Sequence, residues 1–108
     1  MSNRETTSVN GMGVRLHDDV LERIYRKHGE LRGLESLILE TVNEPDLILR
    51  GHNNELLAMK YYGTTPLGAK HMVVVYREDK LLIITAFLTS DPSKLLKKRE
   101  RVWQRQNK

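Results

Sequence analysis

The chain has 108 residues, 39% of them hydrophobic and 30% charged, which suits one domain around one core and leaves too little for two. It has no cysteine, so disulfide scaffolds, zinc ribbons, thiol catalysis and iron–sulfur clusters are excluded. The net charge of +4 is uneven: from Lys94 onward seven basic residues face Glu100 alone, a net of +6, which leaves −2 for residues 1–93.

Residues 1–13 are polar and include Gly11 and Gly13, the composition of a flexible leader. From Leu16 the spacing becomes helical. Val20, Leu21, Ile24, Tyr25 and His28 recur every three or four residues, Asp18 and Asp19 suit a first turn, and Gly29 is a natural stop. Leu34, Leu37, Ile38 and Val42 predict a second helix over 34–43, with Pro45 beyond its end. The period then shortens to two. Strands are expected over 46–50, 55–62, 70–76 and 81–88, with turns at Gly51–Asn54 and Arg77–Lys80. The last two strands are apolar on both faces and belong at the sheet centre. Asp91-Pro92-Ser93 opens a final helix.

Strands joined by short turns, with helices segregated in the chain, define an α+β fold. The expected architecture is two N-terminal helices packed on a four-stranded antiparallel sheet, plus a C-terminal basic helix. The corresponding boundaries are a leader at 1–13, one domain at 14–90 and the basic helix at 91–108. One sheet face is covered in this arrangement, and the other is free to form an open site. No apolar run approaches the roughly 20 residues that cross a bilayer, and the N-terminus lacks an apolar signal core, so a cytoplasmic chain without a membrane partner is expected.

No metal-ligand, P-loop, dinucleotide or nucleophile-elbow motif is present, and no metal or cofactor is expected. His17 and His28 lie eleven residues apart, about 16 Å along a straight helix, too far to share one small ion. Four histidines, several cations and a strand threonine remain. Imidazole titrates near neutrality, so His17 and His28 are candidates for proton transfer; an exposed helix end and a half-buried packing histidine are the plainer readings. Lys60 beside Tyr61 and Tyr62 suits a phosphate and a stacked base, but also ordinary strand packing. Alternation puts His71 on one face with Val73 and Val75 without saying whether that face is open, and groups Thr85 with Leu81, Ile83 and Phe87. The run containing Lys97, Lys98 and Arg101 suits a polyanion, RNA or DNA phosphates or an acidic protein surface, and equally a solvated helix end whose cations favour the helix dipole.

The order of short motifs carries a resemblance. His17-x-x-Val20 leads to Ile24-Tyr25-Arg26-Lys27-His28; Glu40-Thr41-Val42-Asn43-Glu44-Pro45-Asp46-Leu47-Ile48 follows; then come Lys60-Tyr61-Tyr62, Met72-Val73-Val74-Val75 and Ile83-Ile84-Thr85-Ala86-Phe87-Leu88-Thr89. Over residues 17–89 this resembles the small phage and toxin nucleases grouped as barnase–EndoU–colicin-D–RelE-like. Lys27-His28-Gly29-Glu30 departs from their usual Arg-His-Pro-Glu. The resemblance implies a metal-independent endoribonuclease, toxin-like or phage-derived. In it the ribose 2′-hydroxyl attacks the adjacent phosphate and leaves a 2′,3′-cyclic phosphate. It also implies His17 and His28 as acid and base, Arg50 or Lys60 as the electrostatic group and Thr85 as the phosphate-orienting hydroxyl. Arg50, Tyr62, Lys97, Lys98 and Arg101 would bind substrate. Partners would be RNA and an antitoxin or immunity protein. The competing expectation is a non-catalytic nucleic-acid-binding or protein-interaction domain of the same fold.

Overall fold

A computed structural model describes residues 4–106 of the chain. In chain order its elements are β1 (Glu5–Thr7), β2 (Gly13–Arg15), α1 (Asp18–Lys27), a single 3-10 turn (Gly29–Leu31), α2 (Glu35–Asn43), β3 (Leu47–Arg50), β4 (Leu56–Tyr62), β5 (Lys70–Arg77), β6 (Leu82–Thr89), α3 (Ser93–Lys98) and β7 (Arg101–Gln104). The strands form one seven-stranded sheet in the order β1-β2-β6-β5-β4-β3-β7. β2 runs parallel to β6 through one residue pair, Arg15 with Leu82; the other neighbouring pairs are antiparallel. The result is a curled, mixed half-barrel with three short helices. Among the described residues, no helix is long and apolar enough to cross a membrane.

This overturns the expected two helices on a four-stranded antiparallel sheet with a basic helix behind it. The expected core strands form as β3–β6, but three more strands extend the sheet at both ends. Residues 5–7 and 13–15, read as leader or its margin, pair as an antiparallel hairpin. Its turn is clasped by Glu78, whose carboxylate accepts from Ser8 Oγ at 2.5 Å and from Asn10 Nδ2 at 3.0 Å. The expected basic helix over 91–108 is helical only from Ser93 to Lys98, after which the chain becomes β7 and pairs with β3. Residues 1–3 of the expected leader, and Lys108 of the basic run, lie outside the described residues.

Both long helices form for the reasons their spacing suggests. α1 buries Leu21 and Ile24, has Asp18 and Asp19 in its first turn and Arg26 and Lys27 in its last, each charge favourable to the helix dipole. α2 buries Ile38, Thr41 and Val42, and Thr41 Oγ1 returns a hydrogen bond to the Leu37 carbonyl at 2.7 Å. β1 lies against α2: Thr6 Oγ1 donates to the Leu39 carbonyl at 2.9 Å, and Asn43 Nδ2 donates to the Thr7 carbonyl at 2.8 Å. Side-chain bonds to the helix thus occupy part of the edge of a strand only three residues long.

The sheet has an apolar cluster on each face. The inner cluster joins Ala58, Met72, Val74, Tyr76, Ile83 and Ala86 to Leu21, Ile24, Ile38 and Val42 from the helices. The outer cluster holds Leu49, Leu57, Met59, Val73 and Val75, with Ile84, Phe87, Leu95 and Leu96 packed against it. β5 is buried from Met72 to Tyr76 without a break, so it needs cover on both sides. α3 supplies the outer cover through Leu95 and Leu96. The face expected to be open is therefore crossed by α3, which passes from the end of β6 to Arg50, where Arg50 N–H donates to the Glu100 carbonyl at 2.8 Å.

A bulge revises the facing of β6. The register shifts between Val75 and Tyr76, which pair with Thr85 and Ile83 respectively, so Ile84 is the extra residue. Ile83 consequently joins the inner cluster and Phe87 the outer one. The expected grouping of Ile83, Thr85 and Phe87 on one face does not hold, because strict alternation fails at the inserted residue.

Candidate nucleic-acid interface

The residues expected to act together are divided between opposite faces. Lys60 lies on the inner side, in step with Leu56 and Ala58, and its Nζ donates to the Glu44 carbonyl at 2.9 Å. Glu44 is the C-cap of α2, so this ammonium satisfies a helix-end carbonyl. Tyr62 is also inner; its hydroxyl donates to Glu40 Oε1 at 2.7 Å, and burial pushes its phenol well above the usual range. Thr85 pairs with Val75 of the outer cluster and lies on the other side of the sheet. Lys60 and Thr85 therefore cannot hold one phosphate.

The histidines of α1 separate as well. His17 is the exposed N-cap residue and makes no side-chain capping bond. His28 is at the far end, half-buried, with its ring centroid 6.2 Å from that of Phe87 and its Nδ1 3.7 Å from Glu30 Oε2. α1 runs beside β6, and Arg23 Nη2 donates to the Ile84 carbonyl at 2.7 Å. His28 thus reaches the β6 side of the outer face, where Phe87 and Thr85 alternate along one strand. Of the four proposed catalytic residues, His28 (through Phe87) and Thr85 both come to the outer side of β6; His17 and Lys60 do not.

The expected substrate-binding residues also disperse. Arg50 ends β3, exposed, with Nε 3.2 Å from Glu100 Oε1. With Ile48, Leu56, Val9, Asn10 and Trp103 it lines a cavity of about 210 Å³ at the mouth of the half-barrel, where the β1–β2 turn approaches β3 and β7. Lys97 and Lys98 are exposed in the last turn of α3, and Lys94 in its first. Among the described residues, none of these three lysines is in an ion pair. Arg101 is exposed on β7 and donates to Gln104 Oε1 at 2.8 Å. α3 begins where Asp91 Oδ1 accepts the Ser93 N–H at 3.1 Å, and that hydrogen bonding holds the Asp91 carboxyl below its usual range.

Sequence reasoning missed a row at one end of the outer face. Tyr61 pairs with His71 and His71 with Thr89, across three adjacent strands. The Tyr61 and His71 rings lie 5.0 Å apart at 57°. His71 Nδ1 is buried and has no hydrogen-bond partner among the described residues, while Tyr61 is 51% exposed. The opposite parity of Tyr61 from Lys60 and Tyr62 was a readable signal. The pairing with His71 was not, because the loop over 63–69 does not determine register. Among the described residues, no three His, Asp or Glu side chains group as metal ligands.

Comparison with protein-family models, with curated proteins and with solved structures finds no match to this chain.

Proposed function

We propose that this chain acts on RNA through the outer face of its sheet. The observation that supports this most is the placement of the basic segment. Leu95 and Leu96 anchor α3 on the outer cluster, so Lys94, Lys97 and Lys98 form a fixed cationic ridge rather than a trailing arm. That ridge is on the same side of the sheet as Thr85, His71 and Thr89, and as Phe87, against which His28 lies. Each phosphate neutralised releases condensed counterions, so affinity falls steeply as salt rises.

A second reading, metal-independent cleavage, is favoured by the two imidazoles and two threonine hydroxyls on that same side. One imidazole would take the proton from the ribose 2′-hydroxyl as that oxygen attacks phosphorus. The other would protonate the departing 5′-oxygen, giving a 2′,3′-cyclic phosphate and a 5′-hydroxyl end. A lysine of α3 would offset the charge of the phosphorane.

One experiment tests both readings: RNA incubated with the protein in EDTA, followed by retention and by gel. Salt-sensitive retention that drops at least tenfold in the Lys97→Glu/Lys98→Glu variant supports the binding reading; retention unchanged by that variant sinks it. Cyclic-phosphate ends that disappear in both His28→Ala and His71→Ala, with retention kept, support cleavage. Intact RNA after prolonged incubation with the unaltered protein overturns it.

A further inference from the structure

We infer that Tyr61 is a stacking platform for an unpaired base, so that the outer face selects single-stranded over duplex RNA. This rests on the RNA reading above and names the form of RNA that the face takes.

Among the described residues, Tyr61 is the one aromatic of the large apolar side chains that stand exposed; the others are Met12, Leu67, Leu81 and Val102. Its ring is not loose. One side rests on the His71 ring, and its backbone N–H is held by Asp46 Oδ2 at 2.8 Å. Asp46 is held in turn by Arg105, with Nη2 3.1 Å from Oδ1 and the Arg105 N–H 2.9 Å from the Asp46 carbonyl. The backbone that carries the ring is therefore fixed, and the ring rests against His71, before anything binds, which lowers the ordering cost of a contact.

The surroundings are those a nucleotide needs. Arg105 is paired with Asp46, the residue that holds the Tyr61 N–H, and is exposed by 55% despite that ion pair. On the β6 side, Thr89 completes the row, and the chain leads on through Asp91 to α3 and Lys94. A backbone that follows the row toward α3 meets an aromatic surface at Tyr61 and positive charge at Lys94, the pairing that single-strand binders use. Duplex RNA keeps its base faces within the stack and cannot supply one to Tyr61. α3 also stands above the sheet where a rigid rod would otherwise lie flat.

The test measures fluorescence anisotropy of a labelled short single-stranded RNA and of the same strand annealed to its complement, at one salt concentration. The unaltered protein is expected to bind the single strand at least tenfold more tightly. Tyr61→Ala should weaken single-strand binding by about tenfold, within the usual range for loss of one stacked base, and leave duplex binding unchanged. Tyr61→Phe, which keeps the ring, should bind as the unaltered protein does. Equal affinity for both RNAs, or a Tyr61→Ala variant that binds the single strand normally, overturns the inference while the RNA reading stands. Absence of binding to either RNA overturns both. Unchanged thermal unfolding of Tyr61→Ala, expected for so exposed a side chain, shows that any loss is not loss of fold.

Discussion

Lys60 shows how one residue type at one spacing can serve two purposes. Beside two tyrosines it suits a phosphate, yet its ammonium lies on the last carbonyl of α2. Replacing it by methionine, Lys60→Met, keeps the stem but loses a charge-assisted bond to a helix end, a cost of about 1 kcal/mol in urea unfolding. RNA retention should not change, because the side chain is on the inner face. Arg77 and Asp79 make the second residue-scale case. Two guanidinium bonds, at 3.0 and 2.6 Å, hold the Asp79 carboxyl below its usual value of 3.8. The lowered value means that the stabilisation is complete above pH 3.8 and fades as pH falls through the folded-state value. Asp79→Asn should therefore unfold at a lower temperature than the parent near neutrality, and the two should converge in strong acid. Thermal scans over that pH range check this.

At the scale of elements, α1, α2 and β4–β6 were legible because each is long enough to show a period, and the four-residue β3 because the turn at 51–54 joins it to β4. Val20, Leu21 and Ile24 repeat at helical spacing, and Leu56–Tyr62 alternates between clusters. The added strands were not legible. Glu5–Thr7, Gly13–Arg15 and Arg101–Gln104 hold three or four residues each, mostly polar, and no alternation can be read over so short a run. They form because a neighbouring edge and tertiary bonds are available, which is information from elsewhere in the chain. The basic segment illustrates the cost of missing this. Cutting the chain after Pro92 would remove β7 and uncover the outer cluster, so loss of RNA binding by such a truncation would not distinguish charge from fold. Leu95→Asp/Leu96→Asp is the informative change. It removes two half-buried anchors, lowers stability by about 2–4 kcal/mol, and frees the lysines from the sheet without altering their number. Circular dichroism should still report folded protein at low temperature, while RNA affinity falls several-fold; affinity equal to the parent's would show that anchoring does not matter.

For the molecule as a whole, the sheet curls because its ends are drawn toward the same side. β1 is bonded to α2, and the β1–β2 turn is clasped by Glu78 near the mouth it shares with β3 and β7. That curl places α1 and α2 within and the charged ridge of α3 without. It also explains why the anticipated catalytic set did not assemble: residues adjacent along β4 and β6 look alike in sequence, but parity sends Lys60 inward while the bulge sends Thr85 outward. The candidate site was thus half legible, in His28, Thr85 and the lysines. Tyr61, His71 and Thr89 required a strand register set by the hairpins and packing together.

The extra residue in β6 has an evolutionary corollary. Losing the codon for Ile84 would restore strict alternation with Ile83 still inward and Thr85, Phe87 and Thr89 still outward, because the pairs Ile83–Tyr76 and Thr85–Val75 then follow one another directly. Ile84 is thus a spare position: this one codon can be lost in a single step while every other side chain of the strand keeps its face.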